Sequence, residues 1–238
     1  MKRFLAMALL VATIPVVAAD KETQPLNVAP KGFTALFNGK DLDGWQICIP
    51  IVERNKLKAK NDGSYEKAVK AANDKHLKGW SVQEGILHYT GKTFSLQTVK
   101  DYGDIELLVD WKIAEKGDSG LYLRGQPQVQ IWDSWKAAGA GGKHRNTGSG
   151  GLYNNPGGVG AIPLKNADKP VGEWNTFRII QKGDITTVYC NGVLVVDKIP
   201  LANYFEKGRP LPAMGPIELQ HHGDPLWFRN IFIRELKD

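Results

Sequence analysis

The chain has 238 residues, of which 42% are hydrophobic and 24% are charged, and its formal net charge at pH 7 is +6. That length is enough for one large hydrophobic core. The charge is mild and the basic residues are scattered without interleaved aromatic side chains, which argues against a nucleic-acid partner.

The first nineteen residues have the pattern of a signal peptide. Lys2 and Arg3 precede an almost unbroken apolar run at 4–17, and small residues before position 20 suit signal peptidase, with cleavage near Ala19. The run is shorter than the about 20 residues of an ordinary membrane span, and an uncleaved anchor is the alternative. We therefore predict an exported protein, periplasmic or extracellular, with no membrane span after cleavage. Its oligomeric state is left open.

Residues 20–31 are predicted to form a polar linker, and residues 32–238 a single domain. A strand at 33–37 leads into the tight turn Asn38-Gly39, and an extended apolar stretch follows at 42–51.

Residues 53–79 differ from the rest in composition, being rich in Lys, Ala, Asn and Asp. We interpret them as an insertion. Within it, near-helical spacing of apolar residues predicts a short surface helix at 64–76 with Ser64 as its N-cap.

From residue 80 onward the pattern is typical of β structure. A hairpin is predicted at 80–89, and residues 104–113 alternate, with one apolar face made of Ile105, Leu107, Val109, Trp111 and Ile113. The other predicted strands are 120–124, 128–133, 174–181, 186–190, 193–196, 217–220 and 228–236, with a Gly- and Asn-rich loop at 137–163. The dipeptide Asn191-Gly192 predicts a type I′ hairpin turn. Many short strands with turn signals about every ten residues predict an all-β sandwich or barrel.

The two cysteines, Cys48 and Cys190, both lie in apolar, strand-like sequence. Export permits a disulfide between them, and two buried free thiols are the alternative. Metal ligation is disfavoured because neither has a second cysteine nearby.

The sequence has no phosphate loop, serine-hydrolase elbow, HExxH zinc motif or dinucleotide fingerprint. What remains is a set of polar residues that alternate along predicted strands: Tyr122 and Arg124; Gln128, Gln130 and Trp132; Glu218, Gln220 and His222. Amides, an arginine, aromatic rings and a histidine on one surface are typical of a sugar site. A solvated outer face is the alternative.

The clearest titratable cluster is His221 and His222 with Asp224. Adjacent residues of a strand point to opposite faces, so only one of the two histidines is expected in a given site. His222 shares its parity with Gln220 and is therefore the candidate. Surface turn residues are the alternative, and ligand spacing for a metal site is not diagnostic here.

Several motifs resemble the 3-keto-disaccharide hydrolase domain family. They are GFTALFNGKDLDGW at 32–45, YGDIE at 102–106, DSGLYLRG at 118–125, VQIWD at 129–133, KPVGEWNT at 169–176, NGVLVVD at 191–197 and GPIELQHHG at 215–223. The resemblance implies a concanavalin A-like jelly roll, an all-β sandwich of two antiparallel sheets with the ligand on the concave sheet, interrupted here by the helical insertion. It also implies cleavage of glycosides oxidised at C3, where the ketone acidifies the C2 proton and an enolate can expel the C1 substituent.

On that resemblance His222 is the candidate base or acid, and Glu218 or Asp110 is the second proton-transfer group. Arg124, or a divalent metal ion, would stabilise the enolate oxygen. The sugar would be held by Tyr122, Gln128, Gln130, Trp132 and Gln220. Many members of the family carry Glu in place of Gln128 and an acid in place of His221. A non-catalytic, lectin-like carbohydrate-binding module is therefore the alternative.

Overall fold

A computed structural model describes residues 25–126, 128–135 and 146–237. The predicted signal peptide and part of the predicted loop at 137–163 lie outside these residues. Within the predicted linker, Asn27 docks on the domain, since its backbone N–H donates to Oδ1 of Asn230 at 2.8 Å. No helix among the described residues is long and apolar enough to cross a membrane.

The fold consists of two antiparallel sheets, as predicted. The eight-stranded sheet has the order β11-β10-β9-β6-β13-β4-β3, with β1 also paired to β13, and the five-stranded sheet has the order β2-β5-β12-β7-β8. The strands are β1 (Thr34–Ala35), β2 (Trp45–Ile47), β3 (Trp80–Gln83), β4 (Ile86–Tyr89), β5 (Leu96–Thr98), β6 (Ile105–Ile113), β7 (Asp118–Tyr122), β8 (Gln128–Trp132), β9 (Asn175–Lys182), β10 (Ile185–Cys190), β11 (Val193–Pro200), β12 (Glu218–Leu219) and β13 (Leu226–Glu235).

The core lies between the two sheets. The predicted apolar face of β6 is buried there, together with inward residues of the small sheet such as Leu96, Leu121, Ile131 and Leu219. Because side chains alternate along a strand, the polar residues between these apolar ones lie on the outer face of the five-stranded sheet. That outer face is where the candidate site forms.

Two hairpin turns follow from their sequence. Glu84 and Gly85 both have positive φ, at 51° and 75°, and so do Asn191 and Gly192, at 50° and 80°. Type I′ turns need positive φ at both central residues, which confirms the turn predicted at Asn191-Gly192.

The insertion contains two helices, α1 (Ile51–Lys60) and α2 (Ser64–His76). The bounds predicted for α2 are confirmed, but the residue before it, Gly63, occupies the cap position, so the predicted Ser64 cap is wrong. Helix α1 was not predicted, because an extended stretch was expected as far as residue 51. It begins directly after Pro50, whose carbonyl accepts the first helical hydrogen bond from Arg54 at 2.8 Å.

Both helices are fastened to the small sheet. Asn73 accepts a hydrogen bond from the backbone of Ile47 at 2.8 Å, and Tyr65 accepts one from Gln46 at 2.9 Å. Arg54 is buried and binds both carboxylate oxygens of Asp101 at 2.5 Å. These contacts fix the start of α1 over one end of the outer face of the sheet.

The two cysteines are free thiols, and Cys190 is fully buried. No disulfide therefore links Cys48 and Cys190.

Candidate functional site

Strand pairing arranges the polar residues of the small sheet in rows. In the first row Glu218 pairs with Tyr122, and Tyr122 pairs with Gln128. In the second row the backbone N–H of Gln220 donates to the carbonyl of Gly120, which pairs with Gln130. The rows bring together residues that lie about 90 positions apart in the chain.

The third row joins His222, Asp118 and Trp132. Asp118 pairs with Trp132 across β7 and β8, and Nδ1 of His222 lies 3.9 Å from Oδ2 of Asp118. The structure thus collects Tyr122, Gln128, Gln130, Trp132, Glu218, Gln220 and His222, all predicted from the sequence, on one surface. Asp118 lies in one of the sequence motifs but was not assigned a role.

Gly120 lies at the centre of this surface. A Cβ atom there would approach the Gln128 side chain to 3.0 Å. The missing side chain leaves a depression that Gln128 borders, with Gln220 and Gln130 on its two flanks.

An amide network holds the floor of the depression. Gln128 donates to Oε1 of Gln130, and Gln130 donates to Asp118 at 2.7 Å and to the carbonyl of Ser119 at 2.9 Å. Oε1 of Gln128 and Oε1 of Gln220 are buried and find no donor among the described residues. Buried amide oxygens are normally satisfied, so two open acceptors on one surface fit the hydroxyl donors of a ligand.

Glu218 lies in a pocket of about 190 Å³ at one end of this surface. Burial raises the pKa of its carboxyl group, and hydrogen bonds from Ser95 and Cys48 oppose that rise. The carboxyl group therefore keeps its proton to a higher pH than an exposed glutamate, as a general acid requires.

His221 lies in the same pocket. Its backbone N–H donates to Oγ of Ser95 at 3.0 Å, and the same hydroxyl lies within hydrogen-bonding distance, 2.9 Å, of Nδ1 of the ring. Burial, and then the charge of His222, lower the pKa of His221. The expectation that only His222 enters the site is wrong, because β12 ends at Leu219 and strand alternation no longer fixes the direction of His221.

Asp118 and His222 lie outside the pocket that holds Glu218 and His221. Asp118 is buried, whereas the side chain of His222 is about half exposed at 48%. Burial raises the pKa of Asp118, and His222 and Gln130 oppose that rise. An exposed imidazole beside a buried carboxylate can reach a ligand and still be stabilised when it takes up a proton.

Two aromatic residues of the surface have distinct environments. Tyr122 accepts a hydrogen bond from Nε2 of Gln220 at 3.3 Å, and burial raises the pKa of its hydroxyl, which therefore remains a donor. Trp132 is 5% exposed and donates to the carbonyl of Gly148 at 2.8 Å. The indole thus forms part of the wall, and the more exposed ring of Tyr153, 5.5 Å from it, stands at the rim.

Arg124 does not belong to this surface. Strand β7 ends at Tyr122, and Arg124 has a φ of 55°, which turns it away from the face that it was predicted to share with Tyr122. Its guanidinium group is buried against Asp104, at 2.7 Å, and the carbonyl of Pro212, at 3.1 Å. A role in holding an enolate oxygen is therefore withdrawn.

Asp110 is also separated from the site. It lies on β6 of the eight-stranded sheet, on the face opposite to the core, and accepts hydrogen bonds from Thr176 at 2.6 Å and Asn230 at 2.9 Å. The core of the sandwich stands between it and Glu218. Its predicted role as a proton-transfer group is withdrawn as well.

No group of three or more His, Cys, Asp or Glu side chains suited to a metal ion occurs within residues 25–126, 128–135 and 146–237. The divalent ion considered from the sequence stays an expectation. Four residues of the site were not assigned to it from the sequence: Cys48, Ser95, Asp118 and His221. Cys48 lies two positions after Gln46, and Ser95 lies two positions before Gln97, so alternation along an extended chain places each on the same face as its glutamine. That alternation is the pattern from which Cys48 and Ser95 could have been predicted.

The chain is similar to several known proteins. Residues 32–234 match the family described as the 3-keto-alpha-glucoside-1,2-lyase-like domain. A protein of Bacteroides thetaiotaomicron named 3-keto-disaccharide hydrolase is 26% identical over 272 aligned residues, which cover 92% of this chain and 83% of that protein.

Two crystal structures of candidate glycosyl hydrolases from Parabacteroides distasonis are similar in fold. One has a TM-score of 0.62 at 21% identity and covers 89% of this chain and 100% of its own. The other has a TM-score of 0.61 at 28% identity and covers 87% of this chain and 85% of its own.

Proposed function

We propose, from the premise that the chain belongs to the 3-keto-alpha-glucoside-1,2-lyase-like domain family, that it cleaves the glycosidic bond of glycosides oxidised at C3. The observation that carries the proposal is a pair of proton-transfer groups on one polar surface. Glu218 is partly buried in its pocket, which favours its neutral, acidic form, whereas His222 is half exposed beside Asp118. Environments that favour opposite proton-transfer roles are typical of an acid and a base that act on one substrate.

The reaction begins at C2 of the sugar. The C3 ketone acidifies the C2–H bond, so His222 takes that proton while the electron pair moves into an enolate on the C3 oxygen. Asp118 stabilises the imidazolium ion that results. The enolate then expels the C1 oxygen, which takes the proton of Glu218, and a double bond forms between C1 and C2.

Water completes the hydrolysis. The unsaturated 3-keto sugar adds water across C1 and C2, with the hydroxyl at C1 and a proton at C2, which returns a 3-keto sugar. Glu218 is reprotonated and His222 loses its proton, so the net reaction consumes one water. No redox cofactor is consumed in these steps.

The rest of the surface supports the enolate and the ring. The hydroxyl of Tyr122, which stays protonated because burial raises its pKa, donates a hydrogen bond toward developing negative charge. The open acceptors of Gln128 and Gln220 bind sugar hydroxyls, and the depression at Gly120 admits the ring. The role that the sequence analysis gave to Arg124, stabilising the enolate oxygen, thus falls to the neutral hydroxyl of Tyr122.

The proposal is tested by sugar release. We expect 3-keto-trehalose or a 3-keto-glucoside to be cleaved and the corresponding unoxidised glucoside to remain intact, because only the ketone acidifies C2. The Glu218→Gln variant, which keeps the shape of the side chain, is the matched control. Absence of release from every 3-keto substrate between pH 5 and 9, with and without added divalent ions, would contradict the proposal.

Binding without turnover is the second candidate function. The open amide acceptors of Gln128 and Gln220 would hold a sugar equally well in a lectin-like module. Calorimetric binding of a 3-keto-glucoside by a protein that never cleaves it would favour that function.

We also propose that the protein is exported. The support is the basic start, the apolar run and the small residues before Asp20. Amino-terminal sequencing of the mature protein is expected to begin at Asp20, and an intact Met1 terminus on the purified protein would contradict it.

A further inference from the structure

The pocket that holds Glu218 has apolar walls. They are formed by Pro50, Ile51 and Val52 at the start of α1, by Phe94 before β5 and by Phe205. These residues come from three separate parts of the chain, and they meet only because α1 is folded over this end of the sheet. The polar groups of the pocket, by contrast, lie on or beside the strands at its floor.

The mouth of the pocket exposes large apolar side chains to solvent. Val52 is 38% exposed, Phe94 48% and Phe205 42%. Single exposed apolar residues are ordinary, but three around one opening mark a surface that a ligand covers.

The two phenylalanine side chains are held in place by other rings. Phe94 packs edge-on between two imidazole rings, with its ring centroid 4.4 Å from that of His76 and 5.5 Å from that of His221. The ring centroid of Phe205 lies 5.8 Å from that of Tyr122 and 5.1 Å from that of Tyr204. Rings fixed in this way lose little side-chain freedom when a ligand binds, so the pocket is preorganised.

These walls suit only part of a glycoside. A sugar ring carries a hydroxyl group on most of its carbons, and each hydroxyl needs a hydrogen-bonding partner that the apolar walls do not supply. Such partners lie in the other half of the surface, at Gln128, Gln130 and Asp118. The two halves meet at Glu218, Tyr122 and Gln220, the last of which hydrogen-bonds Tyr122.

We propose that this pocket is the leaving-group site and that it accepts an apolar, ring-shaped aglycone in preference to a second sugar. The inference rests on the proposed function and specifies its substrate class: 3-keto-glycosides of aromatic or alicyclic alcohols. A cavity of about 150 Å³ lined by apolar side chains holds one benzene ring. The pocket of about 190 Å³ thus accommodates a single ring, with larger aglycones extending past its mouth.

The test compares two substrates whose leaving groups differ in polarity but not in reactivity. Benzyl 3-keto-glucoside and 2-hydroxyethyl 3-keto-glucoside release primary alcohols of similar acidity, so a difference in kcat/KM reports recognition by the pocket. We expect kcat/KM to be at least about tenfold higher for the benzyl compound. 3-Keto-trehalose is measured beside them.

Two valine variants make the test specific to the pocket. Val52→Ser places a hydroxyl at the mouth and is expected to reduce the ratio of the two kcat/KM values by about threefold or more. Val99→Ser is the matched control, because Val99 is 58% exposed and is not part of the pocket. Its ratio is expected to remain that of the unaltered protein, and thermal unfolding shows that both variants are folded.

The possible outcomes distinguish failure of the aglycone preference from failure of the proposed 3-keto-glycoside cleavage. Equal cleavage of both glucosides, preferential cleavage of the hydroxyethyl compound, or an unchanged ratio in Val52→Ser would overturn the aglycone preference while leaving 3-keto-glycoside cleavage in place. Failure to cleave all three substrates would overturn the proposed function, and the leaving-group assignment with it.

Discussion

Nδ1 of His222 lies 3.9 Å from Oδ2 of Asp118, too far for a hydrogen bond but near enough for strong attraction once the imidazole carries a proton. The pair therefore gains stabilisation when His222 removes a proton from a substrate. Because Asp118 is buried, that attraction is screened less than it would be between exposed groups.

The first prediction concerns the choice between the two histidines. We expect His222→Gln to lower kcat by about 10²–10⁴-fold, since it removes the base, and His221→Gln to have a much smaller effect on kcat. Deuterium incorporation at C2 in D₂O measures enolate formation directly. Full turnover by His222→Gln removes that residue from the mechanism, and loss of exchange in His221→Gln alone assigns the base to His221.

The second prediction separates activity from stability at Glu218. Glu218→Gln is expected to lower kcat by at least about 10²-fold, because the amide has no acidic proton to give. Burial raises the folded-state pKa of Glu218, so its contribution to stability is present at low pH and is lost as pH rises through that value. The variant should consequently have a higher melting temperature than the unaltered protein at pH 8, with a smaller difference at pH 4. A variant that is less stable at both pH values would contradict this account.

The third prediction is a pH profile. If Glu218 acts in its neutral form, kcat falls as pH rises through its raised pKa, and the fall occurs above the range of an exposed glutamate. Steady-state rates from pH 4 to 10 should therefore decline on the alkaline side of the profile. A rate that keeps rising with pH would exclude Glu218 as the acid.

The fourth prediction uses the central glycine. In Gly120→Ala the new Cβ atom would lie 3.0 Å from Gln128, so that side chain must move and the depression becomes shallower. We expect KM for a 3-keto-glucoside, or its dissociation constant, to rise by about tenfold. Thermal unfolding shows whether the variant is folded. Unchanged affinity would show that the sugar does not enter the depression.

The fifth prediction concerns Arg124 and Asp110, whose predicted catalytic roles the structure does not support. Arg124→Met leaves Asp104 without its cation and is expected to reduce the free energy of unfolding by about 2 kcal/mol, a moderate value because Asp104 is partly exposed. Asp110→Asn alters only the outer face of the large sheet. In both folded variants kcat should stay within about twofold of the unaltered value, and a loss of 10²-fold would return the residue to the site.

The parts of the site that follow from the sequence are those fixed by regular strands. Gln128, Gln130 and Trp132 alternate along β8, and Glu218 and Tyr122 pair across neighbouring strands, so periodicity was enough to place them on one face. Arg124 and His221 were misjudged for one shared reason: each lies just beyond the end of a strand, where the backbone leaves the pleat.

Other features depend on contacts that no local pattern encodes. The walls of the pocket, Val52, Phe94 and Phe205, are brought together by tertiary packing across more than 150 positions of sequence. Helix α1 was missed because the apolar residues before Pro50 continued the extended pattern, and only its packing over the sheet shows where the helix begins.

The placement of the two helices has a consequence for how this protein could diversify. Residues 51–76 leave the sheet after β2 and return before β3 as one continuous segment, and they carry part of the apolar wall, whereas the acid and base lie on or directly after sheet strands. Exchange of that segment between homologues would change which leaving groups the pocket accepts. The reaction chemistry and the sugar-binding strands would be inherited intact, so selectivity and catalysis can evolve separately.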